Sequence, residues 1–291
     1  MTPSTSIYSE TLYEGYGQYF SIDRTLFEDQ TEHQHLIIFE NRLFGRVMAL
    51  DGIIQTTERD EHVYHEMIVH LPILAHGQAR RVLIVGGGDG ASLREAVRHP
   101  GLEQATLVEI DPAVIEMSRR YLPNHSAGAF DHSKARIVIA DGVKYVHETA
   151  DRFDVIIVDS TDPVGPGEVL FSDHFYAGCK RCLNPGGILV TQNGVSFMQL
   201  DEVRDGAARL RQHFADVWFY GAAVPTYIGG IMAFGWATDN PALRQTPVET
   251  LRQRFAAAGL PTRYYTPEVH AGAFALPRYV VDVISSRGNG E

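Results

Sequence analysis

The chain is poor in cysteine and contains no long apolar run, and both shortages exclude classes of protein. Its 291 residues include two cysteines, Cys179 and Cys182. One Cys-x-x-Cys pair cannot complete a zinc site, so we expect reduced thiols packed along a helix and no metal site. No apolar run reaches the roughly 18 residues of a membrane-spanning helix, and residues 1–9 lack the pattern of an export signal. These shortages predict a cytoplasmic protein without a membrane segment.

Basic residues are also in short supply. The chain has 25 Lys and Arg against 36 Asp and Glu, for a formal net charge of −11. This balance disfavours nucleic acid as a partner and suits cationic ligands, although a need for solubility would explain it equally well. Because 44% of the residues are hydrophobic, the chain can build a substantial core.

Short apolar stretches separated by turns dominate the first part of the chain. Residues 35–39, 46–50 and 53–55 read as strands, and Asp51-Gly52 is a strong hairpin signal between the last two. They predict a small antiparallel β domain. A helix should follow from near Glu58, with Thr57 and Asp60 as caps and with Tyr64 and His65 as a polar pair.

From Arg80 onward the pattern changes to strand, glycine or acid, then helix. Five predicted strands cover residues 81–85, 106–110, 136–140, 154–158 and 187–191, and two more cover 216–220 and 231–237. This alternation predicts an α/β domain with a mostly parallel sheet and helices on both faces. The domain boundary should lie between His76 and Arg80, giving a first domain of residues 1–76 and a second of residues 77–291.

Two carboxylates follow the apolar strand 155–158, and they indicate a cation site. Asp159 ends that strand, and Asp162 comes three residues later. In open α/β sheets, ligands bind at the carboxyl ends of the strands, where these acids should stand. In isolation Asp162-Pro163 could equally start a turn. Its register after a buried strand favours the functional interpretation.

A glycine-rich turn, 86–90 (GGGDG), follows the first parallel strand and favours a nucleoside cofactor. Glu109 lies at the end of the next strand, where a carboxylate can accept bonds from ribose hydroxyls. Asp141 and Gly142 follow the third strand and could meet the adenine edge, although Asp141 could instead cap a helix. Asp89 would repel a phosphate or a methionyl carboxylate. An adenosyl sulfonium without that carboxylate therefore fits best.

These motifs resemble the signature of spermidine synthases, the polyamine aminopropyltransferases, most closely of the bacterial type. The resemblance covers nearly the whole chain, and it rests on the following segments: 50–61, 64–66, 86–90, 108–111, 141–142, 159–166, 225–227 and 274–277. It implies a β-stranded amino-terminal domain on a methyltransferase-like Rossmann domain. It further implies an enzyme that uses decarboxylated S-adenosylmethionine to aminopropylate putrescine, and that is dimeric or tetrameric.

The resemblance also assigns individual residues. The adenosyl part of the donor would be held by Gln34, Glu109, Asp141, Gly142 and Pro166. His65 and Asp89 would lie near its aminopropyl end. The diamine tunnel would be lined by Tyr64, Asp159, Asp162 and Tyr227, with Asp159 as the catalytic base. His65 and Asp89 would contact the diamine as well as the donor.

Three other functions stay open on the sequence alone. A methyltransferase would need an intact methionyl carboxylate, which Asp89 opposes. A non-catalytic polyamine-binding protein would not need both Asp159 and Asp162. An oxidoreductase ranks last, because the glycine turn lacks a phosphate site. The sequence also leaves open whether the acceptor is putrescine, cadaverine, agmatine or spermidine.

Overall fold

Two antiparallel sheets form the amino-terminal part of the chain. The computed structural model describes residues 6–163 and 165–285, and of residues 165 and 166 it describes the backbone alone. The first sheet pairs β1 (Ser6–Ser9) with β2 (Tyr19–Ile22). The second has the order β3-β4-β5-β6, with strands at Arg24–Gln30, His35–Asn41, Gly45–Leu50 and Ile53–Thr57.

The predicted hairpin joins β5 to β6. Asp51 has φ 47° and Gly52 has φ 90°, so both turn residues adopt the left-handed backbone of a tight hairpin turn. The Asp51 N–H also donates to the His35 carbonyl at 2.9 Å, which joins the turn to β4, the strand that pairs with β5 on its other side. The antiparallel β domain predicted from the sequence is therefore confirmed.

A seven-stranded sheet forms the centre of the second part, in the order β12-β13-β11-β10-β7-β8-β9. Its strands in chain order are β7 (Arg81–Gly86), β8 (Gln104–Glu109), β9 (Ala135–Ile139), β10 (Phe153–Asp159), β11 (Leu183–Val195), β12 (Asp216–Ala222) and β13 (Met232–Thr238). Strands β9, β8, β7, β10 and β11 pair in parallel, and β13 pairs antiparallel with β11 and β12. The prediction of a mostly parallel sheet is confirmed.

Helices cover both faces of this sheet. They are α1 (Glu61–His76), α2 (Ala91–Val97), α3 (Pro112–Tyr121), α4 (Pro123–Ser126), α5 (Gly142–Glu148), α6 (Asp173–Cys182), α7 (Leu200–Leu210), α8 (Val248–Ala258), α9 (Pro267–Ala273) and α10 (Arg278–Ser285). Short 3-10 helices lie at Ala129–Asp131 and Gly165–Phe171. None of the helices in the described ranges combines the length and the apolar character needed to cross a membrane.

Side chains of the central strands alternate between two cores. Val82, Val155 and Ile188 belong to the core that contains α1, whereas Leu83 and Ile156 belong to the core that contains α5 and α6. This alternation is the two-residue period of a strand buried on both faces. Cys179 and Cys182 are free thiols buried in the second core, as predicted.

Helix α1 begins three residues later than predicted, at Glu61. Neither predicted cap bonds to a helical N–H group: the Thr57 hydroxyl instead donates to Asp60 Oδ1 at 2.6 Å, and Asp60 Oδ2 accepts from Thr226. Residues 63–75 of the helix are buried, because α1 packs against α2, β10 and β11. The division of the chain at residues 76 and 77 stays a prediction.

The strand order reverses direction between β7 and β10. From β7 the chain adds β8 and β9 on one side, and from β10 it adds β11 on the other. At such a switch point the two following loops diverge and leave a crevice at the carboxyl ends of the strands. The glycine turn follows β7 and Asp159 ends β10, so both predicted motifs stand at this crevice.

Candidate active site

The crevice opens into a cavity of ≈ 1140 Å³, including the open space at its mouth. Its wall combines both parts of the chain: the residue before β4, strands β5 and β6, the start of α1, the glycine turn and the ends of β8, β10 and β11. Eight of the predicted site residues line it, namely Gln34, Tyr64, His65, Asp89, Glu109, Asp159, Asp162 and Tyr227.

The glycines of the turn let two chain segments approach each other closely. Gly86 and Gly87 have φ of 84° and 67°, in the left-handed region that glycine enters freely. A Cβ atom on Gly86 would lie 2.1 Å from the carbonyl oxygen of Asp159, and one on Gly87 would lie 2.7 Å from Asp159 Oδ2. The Gly87 N–H donates to that same Asp159 carbonyl at 2.8 Å. The turn therefore fixes Asp159 at the cavity wall.

Both carboxylate oxygens of Asp159 accept a hydrogen bond. The Tyr64 hydroxyl donates to Oδ1 at 2.9 Å, and the Ser92 hydroxyl donates to Oδ2 at 2.6 Å. Burial raises the pKa of Asp159 above its ordinary value, and the charge of Asp89 adds to that effect against the opposing influence of His65. An aspartate with a raised pKa that faces a cavity is suited to accept a proton.

Asp89 stands in the same cavity with the opposite shift. Its Oδ1 accepts from the Ala91 N–H at 2.8 Å, and its Oδ2 lies 3.5 Å from His65 Nε2. Burial alone would raise the pKa of Asp89, but the charge and hydrogen bond of His65 outweigh it and lower that pKa. Asp89 thus stays a carboxylate at neutral pH, whereas the proton affinity of its neighbour Asp159 is increased.

Gln34, directly before β4, and Glu109, at the end of β8, line one side of the cavity. Gln34 Nε2 donates to Asp111 Oδ2 at 3.2 Å, and Glu109 Oε1 accepts from the Asp111 N–H at 2.9 Å. Burial raises the pKa of Glu109 to about 7, against backbone hydrogen bonds that lower it. A Cβ atom on Gly88 would lie 2.8 Å from Glu109 Oε2, so this glycine leaves room for that carboxylate.

Three of the residues predicted to hold the aminopropyl donor are not among the described residues that line the cavity. Asp141 and Gly142 are not among the lining residues; they follow β9, next to the strand that carries Glu109. Asp141 Oδ1 accepts from the Val143 and Lys144 N–H groups at 2.7 and 3.1 Å, which makes Asp141 the cap of α5. The Pro166 side chain lies outside the described part of the chain.

Tyr64 and Tyr227 face each other at the aromatic side of the cavity. Their ring centroids are 5.7 Å apart with an interplanar angle of 79°, an edge-to-face arrangement. The Tyr227 hydroxyl donates to the Gln55 carbonyl of β6, while the Tyr64 hydroxyl holds Asp159. Both tyrosines therefore line the cavity with their hydroxyl groups already engaged by protein acceptors.

Asp162 also lines the cavity, beside residues that sequence reasoning missed. Gln192 Nε2 donates to Asp162 Oδ1 at 2.7 Å, and burial raises the pKa of Asp162. The buried Gln192 Oε1 has no hydrogen-bond partner within the described residues. Glu10 and Gln199 also line the cavity. Gln192 could have been found by the rule that placed Asp159, since it too follows an apolar strand core, but Glu10 carries no such signal.

Ser92 is a further missed residue. It lies in the first turn of α2, directly after the glycine turn, and it is fully buried. The start of a helix that follows a parallel strand stands at the same sheet edge as the strand's carboxyl end. A hydroxyl at that position could therefore have been predicted to reach Asp159.

Comparison with known proteins decides the family. Residues 61–247 match the model of the spermine/spermidine synthase domain, and residues 7–58 match that of the spermidine synthase tetramerisation domain. The chain belongs to the spermine/spermidine synthase family. It is a transferase of the aminopropyl class, as the resemblance predicted.

Relatives of this family match almost from end to end. The polyamine aminopropyltransferase 1 of Pseudomonas aeruginosa is 63% identical over 284 residues, which cover 98% of this chain and 99% of the relative. The polyamine aminopropyltransferase of Serratia proteamaculans is 60% identical over 279 residues, with 96% and 97% covered.

Solved structures agree with the fold. A spermidine synthase in complex with the transition-state analogue AdoDATO has a TM-score of 0.90 at 36% identity, with 96% of this chain and 94% of that chain covered. The spermidine synthase of Thermotoga maritima has a TM-score of 0.87 at 35% identity, with the same coverage. The Rossmann-like domain preceded by a small antiparallel β domain is therefore the fold of this family.

Proposed function

We propose that the protein transfers the aminopropyl group of decarboxylated S-adenosylmethionine to putrescine, giving spermidine and methylthioadenosine. One observation carries the proposal: Asp89 and Asp159 share a cavity, and their pKa values are shifted in opposite directions. One carboxylate is thereby suited to bind an ammonium and the other to take a proton. The glycine turn beside them provides the close backbone approach that a nucleoside needs.

The donor would lie along the side of the cavity formed by Gln34, directly before β4, and the end of β8. Glu109 would accept bonds from the ribose hydroxyls, which its place in the cavity lining together with Gln34 supports. Asp141, Gly142 and Pro166 are assigned to the adenine end by the family resemblance, and the position of Asp141 and Gly142 after the adjacent strand β9 supports this assignment.

At the other end of the donor, His65 and Asp89 would face the aminopropyl chain. Because that chain ends in an ammonium and lacks a carboxylate, the negative charge of Asp89 attracts it. The AdoDATO complex of the related spermidine synthase is consistent with a donor of this kind in the family.

The acceptor would lie between Asp159 and Asp162, with its carbon chain along Tyr64 and Tyr227. In this position one nitrogen of the diamine meets Asp159, and the other meets Asp162 and the free oxygen of Gln192. Two acids and two aromatic rings in one cavity would suit a molecule that carries an ammonium at each end.

The reaction would be an in-line displacement. The amine nitrogen attacks the aminopropyl carbon attached to the sulfonium, the carbon–sulfur bond breaks, and its electron pair leaves with sulfur as neutral methylthioadenosine. An alkylammonium resembles lysine, whose pKa is about 10.4, so generating the free amine at pH 7 costs about 4.6 kcal/mol at ~1.36 kcal/mol per pKa unit. Asp159, with its raised pKa, would accept the proton.

The match of residues 7–58 to a tetramerisation domain supports a homo-oligomer. We infer that the β domain pairs subunits; a mass measurement by light scattering distinguishes a dimer from a tetramer.

A product assay tests the proposed function. The purified protein is incubated with decarboxylated or intact S-adenosylmethionine and with putrescine, cadaverine, agmatine or spermidine, and methylthioadenosine is quantified. We expect release with the decarboxylated donor and the highest rate with putrescine. A methylated product from the intact donor would instead identify a methyltransferase, and no reaction with any pair would support a polyamine-binding protein.

A further inference from the structure

A buried chain of alternating charges runs from α2 into the active site and ends on Asp89. Arg94 contacts Glu61 at 2.8 Å, Glu61 contacts His65 at 2.9 Å, and His65 faces Asp89 at 3.5 Å. The side chains of these four residues are less than a tenth exposed. The family resemblance assigns roles in the site to His65 and Asp89, but it assigns none to Glu61 or Arg94.

The geometry at His65 Nδ1 fixes a proton on that nitrogen. Nδ1 lies 2.8 Å from the Glu61 carbonyl oxygen and 2.9 Å from Glu61 Oε2. A carbonyl oxygen can only accept, so Nδ1 must be the donor. The tautomer of His65 is therefore set by Glu61, through both its main chain and its side chain.

The opposite nitrogen then has one favourable state. If His65 were neutral with its proton on Nδ1, the lone pair of Nε2 would point at the carboxylate of Asp89. Protonation of Nε2 replaces this repulsion by a charge-assisted contact. The burial of His65 opposes a charge, but Asp89 and Glu61 outweigh it and raise the pKa of His65 well above its ordinary value.

Arg94 keeps Glu61 ionised and oriented. Its guanidinium nitrogen Nη2 lies 3.1 and 2.8 Å from the two oxygens of Glu61, and its Nη1 donates to the Asn124 and His125 carbonyls. Burial works against the charge of Glu61, but His65 and Arg94 together lower the pKa of Glu61 to about 2. Glu61 therefore carries a full charge at any physiological pH.

We propose that Glu61, held by Arg94, is a positioning residue that keeps His65 doubly protonated and thereby orients the Asp89 carboxylate toward the ammonium of the aminopropyl donor. The proposal rests on the proposed function for the identity of the donor. It concerns orientation and not added charge, because an imidazolium beside Asp89 reduces the negative potential that the donor meets.

These two effects predict opposite results, which makes the proposal testable. If His65 acts only through its charge, its neutralisation should strengthen ammonium binding. If it acts by orientation, its neutralisation should weaken donor binding, since Asp89 would turn away from the Nε2 lone pair. The groups whose charges surround His65 are Glu61 of α1, Asp89 of the glycine turn, Arg94 of α2, His125 of α4 and Asp159 of β10.

The kinetic test compares Glu61→Gln with Glu95→Gln. Gln keeps the size of Glu61 but not its charge. Glu95 is also buried and also contacts Arg94, at 2.7 Å, but its histidine partner is His70 and not His65. We expect Glu61→Gln to raise the KM of the decarboxylated donor about tenfold at saturating putrescine, with little change in kcat, and Glu95→Gln to leave that KM within about twofold.

A pH profile and a conservative variant sharpen the kinetic result. In Glu61→Gln the donor KM should rise further with increasing pH, because His65 without the charge of Glu61 loses its proton at a lower pH than in the wild type. Glu61→Asp, which restores the charge, should recover most of the donor affinity. A donor KM that is unchanged or lowered in Glu61→Gln, or raised equally in Glu95→Gln, would overturn the proposal.

Nuclear magnetic resonance of the histidine rings gives a readout that needs no turnover. The His65 signal, assigned by its loss in His65→Gln, should titrate well above the range of an ordinary histidine in the wild type and at lower pH in Glu61→Gln. A wild-type midpoint near the ordinary ~6.5 would refute the proposal whether or not the protein is active. Failure of the proposed function would appear separately, as absence of methylthioadenosine from the wild-type assay.

Discussion

Replacing Glu109 by glutamine should stabilise the protein progressively as the pH rises. Burial raises the pKa of Glu109 from 4.5 to about 7 in the folded protein without donor. At ~1.36 kcal/mol per pKa unit, the ionised side chain costs the fold about 3 kcal/mol at pH 8.5. A raised carboxyl pKa favours folding below the unfolded value of 4.5, and this contribution is lost as the pH increases through 7.

The measurement is the free energy of unfolding in urea at several pH values and one protein concentration. Between pH 5 and pH 8.5, Glu109→Gln should gain about 2.5 kcal/mol relative to the wild type by the same linkage. A constant difference is expected as well, because the amide cannot accept all the backbone bonds of Glu109, but it does not vary with pH. The slope therefore isolates the ionisation of Glu109.

Glu148→Gln serves as the control, since it removes one carboxylate that is 66% exposed on α5. The same Glu109→Gln protein should bind the donor at least tenfold more weakly, because a carboxylate accepts from two hydroxyls and an amide oxygen accepts less strongly. A stability difference that stays flat from pH 5 to pH 8.5 would refute the reasoning about this residue.

Three further predictions concern the acids and the glycine turn. Asp159→Asn should lower kcat by about 10² to 10⁴, whereas Asp162→Asn should mainly raise the putrescine KM; near-normal turnover in the first would remove Asp159 as the base. Gly87→Ala should reduce kcat far more than Gly186→Ala. Both glycines have a positive φ, but only an alanine at position 87 would contact the Asp159 side chain. Equal losses would show that backbone strain alone matters. Glu66→Gln should lower the free energy of unfolding by about 2–3 kcal/mol in urea titrations, since the buried carboxylate accepts three backbone N–H groups of residues 263–265. An effect below about 0.5 kcal/mol would contradict that anchoring role.

The parallel sheet was predictable because its strands are buried on both faces. Runs such as 81–85 and 154–158 are almost entirely apolar, and glycine or an acid ends each of them. The positions of Glu109 and Asp159 followed from one rule, that ligands of an open α/β sheet meet the carboxyl ends of its strands. Both side chains line the cavity.

The contribution of the amino-terminal segment to the cavity could not be predicted in the same way. Strands β1 and β3 are largely exposed and polar, so their sequences lack the alternation of a half-buried strand. Glu10 enters the cavity because this segment folds over residues far along the chain: the Tyr13 hydroxyl donates to Gln199 Oε1 at 3.0 Å across 186 positions. Such contacts depend on how the two sheets pack together.

The start of helix α1 could not be predicted for a similar reason: it depends on a contact with a distant part of the chain. Its start was predicted near Glu58 because Thr57 and Asp60 are good capping residues. Asp60 instead accepts from Thr226 in the loop before Tyr227, at 2.9 Å from its N–H and 2.7 Å from its hydroxyl. The Asp60 carboxylate therefore bonds to a residue distant in sequence and does not cap α1.

The central claim is that one acidic cavity receives a carboxylate-free sulfonium beside a diamine. Titration calorimetry of the wild-type protein with decarboxylated and with intact S-adenosylmethionine tests it most directly, because the two molecules differ only in the carboxylate that Asp89 would repel. We predict that the decarboxylated donor binds at least tenfold more tightly, and that this preference is reduced in Asp89→Asn. Equal affinities, or tighter binding of the intact molecule, would contradict the account.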